Sequence, residues 1–443
     1  MTKQGTFYEF IEKRNRMDSY LKMMKRMVGL YDQHLQQSGH QTKKSDRMAT
    51  FIRDLDTPGY DRLLAGLPAL LGQNQGAVPR YNFDQDCIAR LTQPDDRWSR
   101  IEEIVTTSPA SLDLTDKNQA LQTFELADLI LNLYLSENEL TGVENRVIAE
   151  PQKYPTILHL AVKLALSKTQ LNALTSQIHL TVVVPLFKEH NRIQSREVHP
   201  AGEDFIRRKV AELNWLYGSK ADDTFDLIFV DDGCPEKSGL IASNIIAKEG
   251  YDNVRVLFLE HAIASGLPIA KGLKSTEDSQ KGGAIQYGLW EAIHQPRKQT
   301  ELIVLYTDAD LSTNIGQAGL LIKRLSNNKT MCALGSRYDP GGIYCTPKGA
   351  QGLSDNDRLR LIFRNYVRAE LLPQLGPGVD TQCGFKAIKA EVLADTLEKM
   401  VDKSFSFDME LLLLITLNYD HGGRTIAQAP IVWIESNAES NFY

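Results

Sequence analysis

The spacing of apolar and polar positions changes character near residue 175. Before it, apolar residues recur every three or four positions in Tyr8–Gln36, Tyr60–Leu71, Thr123–Ser136 and Thr156–Leu174, with turn-rich stretches at 72–80 and 107–116 between some of them. This spacing predicts helices, and no clear strand alternation accompanies it. From Ile178 onward, apolar β-branched runs at Ile178–Phe187, Phe225–Val230, Val254–Leu259, Leu302–Tyr306 and Met331–Gly335 alternate with helical patterns. Those patterns lie at Glu203–Tyr217, Gly239–Lys248, Gly282–His294 and Ile315–Leu325. A strand buried on both faces reads as a continuous apolar run. Its alternation with helices across short connections implies βαβ units and a mostly parallel sheet covered on both sides. The expected organisation is a helical domain over 1–175 and an α/β domain over 176–443. The junction carries no Gly/Ser/Pro linker, so the two parts are expected to be packed together rather than tethered.

Composition adds little to this division and charge adds more. The 443 residues are 42% hydrophobic and 24% charged, ordinary for a globular chain. The five cysteines form no CxxC pair, which argues for free thiols in a reducing cytoplasm and against a zinc site. No apolar run approaches membrane-spanning length, and charged residues interrupt the N-terminus from Lys3. The net charge of −6 is unevenly spread: the first fifty residues carry ten Lys/Arg and five Asp/Glu, leaving −11 for the remainder. Much of the basic excess falls in 9–29, where an amphipathic helix could lie on an anionic membrane face or simply pack on its own domain. No nucleic-acid partner is expected.

The candidate chemistry gathers where strands end, the place at which open α/β sheets bind ligands. Ile303–Thr307 runs into Asp308-Ala309-Asp310, two carboxylates whose mutual repulsion calls for a cation or a donor network. Hard oxygen ligands suit Mg²⁺ or Mn²⁺. The first strand leaves through Pro185 toward Glu189, and the second ends in Asp231-Asp232-Gly233. Lys281-Gly282-Gly283 opens a helix whose N-terminus and lysine would favour a phosphate, and Gly335-Ser336-Arg337 ends a further strand. Each feature alone is common as a turn, a helix start or a surface charge. Their shared placement at one sheet rim is what points to a site.

In order, VVVPLFKE, VDDGC, KGGA, TDADLS, GSRY, DTQCGFKA and FDMELL resemble the motif series of family 2 glycosyltransferases with the GT-A fold. The resemblance is greatest to the dolichyl-phosphate glucosyltransferase and dolichyl-phosphate mannosyltransferase branch and covers Ile178–Ser436. It implies a Rossmann-like GT-A domain, a UDP- or GDP-hexose donor, a divalent cation and inverting transfer to a phosphate or hydroxyl acceptor. On this resemblance Pro185, Glu189, Asp231 and Asp232 cradle base and ribose, and Lys281 lies near the nucleotide. Asp308 and Asp310 hold the metal, Arg337 lies near the phosphates, and Asp408 and Glu410 stand beside the acceptor. Asp408, Glu410 and Arg337 are thus the expected catalytic residues. A hydroxyl acceptor requires a general base, for which Asp408 is the candidate, whereas a phosphate acceptor is already ionised.

The sequence departs from the family pattern at four places. Cys234 replaces a serine, Ser312 stands where a glutamine is frequent, 260–280 is a longer insertion suited to a lid or acceptor loop, and 175 helical residues precede the domain. The acceptor is either a polyprenyl phosphate or a soluble small molecule, and peripheral membrane contact would come through the basic N-terminal stretch. Two other enzyme classes and a binding-only module fit the motifs less well. A phosphatase of the haloacid-dehalogenase type lacks its downstream Gly-Asp-x-x-x-Asp strand end, and a nucleotidyltransferase lacks its glycine-rich loop after the first strand. A non-catalytic nucleotide-sugar sensor or scaffold would not need Lys281, Asp308 and Asp310 together.

Overall fold

The computed structural model describes residues 96–436 together with Gln33, apart from 219–223, 296–300, 338, 340, 346–371, 373–374, 376–378 and 420–424. The expected helices at 8–36 and 60–71, and with them the basic stretch 9–29, lie outside the described residues. Four helices come first: α1 (Asp96–Thr106), α2 (Lys117–Leu133), α3 (Glu137–Ala149) and α4 (Thr156–Asn172). Asp116 starts α2 by accepting from the N–H groups of Asn118 and Gln119, and Ser136 with Glu139 forms a capping box on α3. The apolar spacing does not reveal α3, although its Ser-x-x-Glu start is legible in the sequence. In α4 nearly every residue through Ser167 is buried, as a helix enclosed on all sides requires.

The strands are β1 (Ile178–Leu186), β2 (Phe225–Asp231), β3 (Val254–Phe258), β4 (Glu301–Thr307), β5 (Cys332–Ser336), β6 (Ile343–Cys345), β7 (Phe385–Lys389), β8 (Ile426–Pro430) and β9 (Val432–Ile434). Between and after them run α5 (Phe205–Tyr217), α6 (Ser238–Glu249), α7 (Leu259–Ala264), α8 (Gly282–His294), α9 (Ala318–Leu325), α10 (Ala390–Thr396) and α11 (Phe407–Asn418). Seven strands form one sheet in the order β3-β2-β1-β4-β7-β5-β8, and β6 pairs with β9. Only β7 runs against its neighbours in the large sheet; it lies antiparallel to both β4 and β5. The five strands expected from sequence match β1–β5 to within a residue at each end, but β6–β9 were not anticipated.

The two-residue period of each strand sorts its side chains into two cores. Val182, Val184, Leu227, Phe229, Ile303, Leu305 and Phe385 face a core closed by α1–α6 and α9. Val183, Ile228, Val230, Val304, Tyr306 and Ile388 face a second core closed by α7, α8, α10 and α11. Helices therefore cover both faces, as the continuous apolar runs require. The early helices belong to the first of these cores, with α4 packed between α2 and α3 on one side and α9 on the other. No described helix is long and apolar enough to cross a membrane.

Candidate active site

Strand register brings the motifs together. Parallel pairing of β1 with β2 and β4 sets their carboxyl ends along one rim. The reversed β7 begins at that same rim, because Thr307 pairs with Phe385. Asp308, one residue beyond Thr307, consequently lies against Gly384, where an added Cβ would strike its carboxylate. One register step inward Tyr306 pairs with Lys386, whose Nζ donates to the Cys383 carbonyl at 2.6 Å and to Asp408 Oδ2 at 3.4 Å. The chain thus places Asp308, Lys386 and Asp408 in one column at the β4–β7 seam.

Each carboxylate of the Asp-x-Asp pair meets a cation. The Lys281 ammonium donates to Asp308 Oδ1, and Arg192 Nη1 reaches Asp310 Oδ2 at 3.3 Å. The rest of the Arg192 guanidinium is clamped on Glu189, with Nε on one oxygen at 2.7 Å and Nη2 on the other at 2.6 Å. Burial alone would raise the Asp308 carboxyl, but the neighbouring Lys281, with Lys209 and Lys386, holds it below its ordinary value. For Lys281, burial works downward, and Asp308 together with Asp408 and Asp310 outweighs it, so its ammonium titrates above the usual value. Burial pushes Glu189 up to about 7 against the opposing pull of Arg192. The loop carrying Asp310 is fixed from below. Lys209 Nζ donates to the Asp310 carbonyl at 2.8 Å, Glu203 accepts from Leu311 N–H at 2.9 Å, and Glu212 accepts from Ile315 N–H at 2.8 Å.

The other expected residues divide. Asp231 is buried with both oxygens taken by main chain: Oδ1 accepts from Gly233 and Cys234 at 2.9 and 2.8 Å, and Oδ2 from Gly239 at 2.6 Å. It shapes the turn into α6. Asp232 accepts from Lys281 N–H at 2.8 Å, and burial pushes its carboxyl up to about 6. Pro185 is the next-to-last residue of β1, opposite Val230. The cysteine that replaces serine still serves as an acceptor, since Cys234 Sγ lies 3.1 Å from the Lys188 N–H.

Four of the expected features have local partners that define their structural part. Glu410 is held by main chain. Its carboxylate accepts from the N–H groups of Val401 at 3.0 Å and Asp402 at 2.7 Å, so it anchors the loop before α11. Arg337 forms a bidentate pair with Asp380 at 2.7 and 2.8 Å and lies 4.9 Å from the Trp433 ring centroid, bracing the loop that carries Gly384. At the Lys281-Gly282-Gly283 helix start, the Gly283 N–H and the preceding Gln280 N–H both donate to the Lys403 carbonyl, at 3.1 and 3.0 Å, and the Lys281 N–H donates to Asp232. Gly282 serves this backbone contact, since a Cβ there would press on Lys403 and Ser404. The 260–280 insertion holds α7 and two short 3₁₀ turns and buries Ile269 and Ala270 in the core beside α8, so it is a folded element and not an open loop.

Sequence reading missed Arg192, Glu203, Lys209, Glu212 and Lys386. Only Lys386 sat inside a recognised motif. All four non-glycine residues with positive φ among the described residues, Lys188, Asp204, Lys237 and Lys281, lie in connections that follow β1, β2 or β3. Such conformations concentrate at functional sites. Among the described residues no group of three or more acidic, His or Cys side chains could hold a metal by itself. Asp308 and Asp310, with side chains 25% and 20% exposed, fit the sparser mode in which one or two carboxylates share a cation with substrate phosphates.

No family model matches the chain. Among curated proteins, glycosyltransferase AglD from Haloferax volcanii is 24% identical over 263 residues, covering 59% of this chain and 34% of that one. The dolichyl-phosphate beta-glucosyltransferase of Mus musculus is 27% identical over 243 residues, 53% of this chain and 62% of that one, and its Homo sapiens counterpart is 26% identical over the same length. The chain thus spans about a third of the first relative's length and under two thirds of the others'. A crystal structure of glucosyl-3-phosphoglycerate synthase from Mycobacterium tuberculosis with Mn²⁺, UDP and product is 16% identical over 62% of this chain and 77% of that one, at a TM-score of 0.40. That structural likeness is too low to add to the argument. The resemblance to family 2 glycosyltransferases of the dolichyl-phosphate glucosyltransferase branch, read first from the motifs, is carried by curated relatives over more than half of the chain.

Proposed function

We propose that this chain transfers a hexose from a nucleotide diphosphate sugar, with inversion and with the help of Mg²⁺ or Mn²⁺, to a phosphate or hydroxyl acceptor. The observation that carries the reading is the rim at the β4–β7 seam, where Asp308, Asp310, Lys281 and Asp408 gather at the carboxyl end of β4 in a mostly parallel sheet. Asp308 and Asp310 would hold the cation, which when bound stabilises charge on the departing diphosphate. Lys281 is in reach of the same phosphates. Glu189 and Asp232, both buried beside the ends of β1 and β2, would accept from base or ribose donors. Glycosyl relatives named for dolichyl phosphate favour a glucosyl donor and a polyprenyl phosphate acceptor. Such an acceptor is already ionised and requires no base, so Asp408 would serve to orient it or, for a hydroxyl acceptor, to take its proton.

A thermal-shift panel of UDP, GDP, UDP-glucose and GDP-mannose, each with EDTA or Mn²⁺, tests the donor site. Ligand at a hundred times its dissociation constant stabilises by about 2.7 kcal/mol. The proposal expects metal-dependent stabilisation by one nucleotide family, with turnover of the sugar form in the same sample. Stabilisation without any turnover, across phosphate and hydroxyl acceptors, would favour a nucleotide-sugar sensor. No stabilisation by any nucleotide contradicts the reading.

A further inference from the structure

The two carboxylates of the candidate metal pair are neutralised by different kinds of cation. Arg192 is clamped by two hydrogen bonds to Glu189, at 2.7 and 2.6 Å, and touches Asp310 only through its third nitrogen at 3.3 Å. It can stay in place whether or not Asp310 gains another partner. Lys281 differs. Its main chain is fixed, because its N–H donates to Asp232 at 2.8 Å and its φ of 72° caps α8. Its side chain is 30% exposed, sits on a flexible stem, and donates to Asp308. A divalent cation taking up Asp308 would have to displace that ammonium and then lie beside it. A diphosphate arriving with the metal gives the displaced ammonium a new anionic partner.

We propose that Lys281 is a built-in counter-cation that keeps bare divalent metal off Asp308, so that metal and nucleotide diphosphate enter together while Arg192 stays fixed on Glu189. The inference rests on Asp308 and Asp310 being the metal ligands. It makes metal and nucleotide binding positively coupled, and such coupling is reciprocal. An opposite charge in contact shifts ionic equilibria by about one to three factors of ten, which sets the expected scale.

The test is free Mn²⁺ measured by electron paramagnetic resonance over the full chain, with and without UDP or GDP, in the wild type, Lys281→Met and Lys281→Gly. The glycine variant removes the cation and also relieves the positive φ, so it serves where the methionine variant folds poorly. Wild type should bind Mn²⁺ at least tenfold more tightly with nucleotide than without. In both variants nucleotide-free Mn²⁺ binding should tighten about tenfold or more, and the benefit of nucleotide should shrink. Variants that bind bare Mn²⁺ no better than wild type, while the wild-type ternary complex forms, overturn this inference alone. A wild type that takes up no Mn²⁺ even with nucleotide overturns the metal assignment and the inference together.

Discussion

Two strand ends in this molecule read almost alike and are used differently. β2 ends in Asp231-Asp232 and β4 runs into Asp308-Ala309-Asp310. At β2 the acids are 5% and 4% exposed: Asp231 has both oxygens on main-chain amides, three in all, while only Oδ2 of Asp232 meets an amide, that of Lys281. At β4 the side chains are 25% and 20% exposed and each faces a cation. An acid with both oxygens on backbone amides, as in Asp231, cannot release them without undoing a turn, so it fixes shape. An acid held by a mobile ammonium can exchange it for another cation, which is what a metal site needs. The kind of partner, more than the number of carboxylates, separates scaffold from chemistry along this rim.

Crossed substitutions at the two ends give the largest expected effects. Asp308→Asn should keep the fold and lower metal-stimulated donor turnover about a hundred- to a thousandfold, the several kcal/mol that Lewis-acid assistance supplies. Asp231→Ala should instead lower stability by about 3 kcal/mol or more, because two buried amides and a half-buried one lose their acceptor. Chemical denaturation and initial rates on the same two proteins would show the contrast, and interchanged outcomes would break it. Smaller is the pH effect of Asp232, raised from an ordinary 3.8 to about 6. A raised carboxyl binds its proton more tightly in the folded state, so its stabilisation is complete below pH 3.8 and is lost as pH rises through about 6. Asp232→Asn should flatten the fall in unfolding free energy between those pH values, by up to about 2–3 kcal/mol; an unchanged slope would show that Asp232 is not the group responsible. The smallest change comes from Gly384→Ala, whose methyl would push on the Asp308 carboxylate. Turnover should fall about tenfold with a stability loss near 1 kcal/mol, and a loss confined to stability would mean that Asp308 is not placed by this contact.

What could be read from the sequence was local. β1 to β5 are continuous apolar runs with turns at both ends, and α8 spans Gly282–His294 as its spacing predicts. The strands that were missed owe their existence to distant partners. β7 is five residues long and is held between β4 and β5 by pairings across roughly eighty and fifty residues, none of which alters its own pattern. The same limit hid the charge network. Arg192 lies three residues after Glu189, as a loop arginine would, yet its other partner is Asp310, 118 residues away. Lys209 and Glu212 occupy the inward face of α5, where a charged residue looks like an interruption of the apolar stripe until Asp310 and Ile315 appear as their partners. Motif order pointed to this rim in outline, but it could not distinguish Glu410, tied to the backbone of Val401 and Asp402, from Asp408 beside Lys386.

The most direct test of hexosyl transfer at this rim is the initial rate of nucleotide release from UDP-glucose and GDP-mannose with a polyprenyl phosphate present. It should be measured in EDTA, after Mn²⁺ is restored, and again with Asp310→Asn. The account predicts release from one donor only, lost in EDTA, recovered with Mn²⁺, and absent in the folded variant. Release that persists in EDTA, or that survives undiminished in Asp310→Asn, would contradict it.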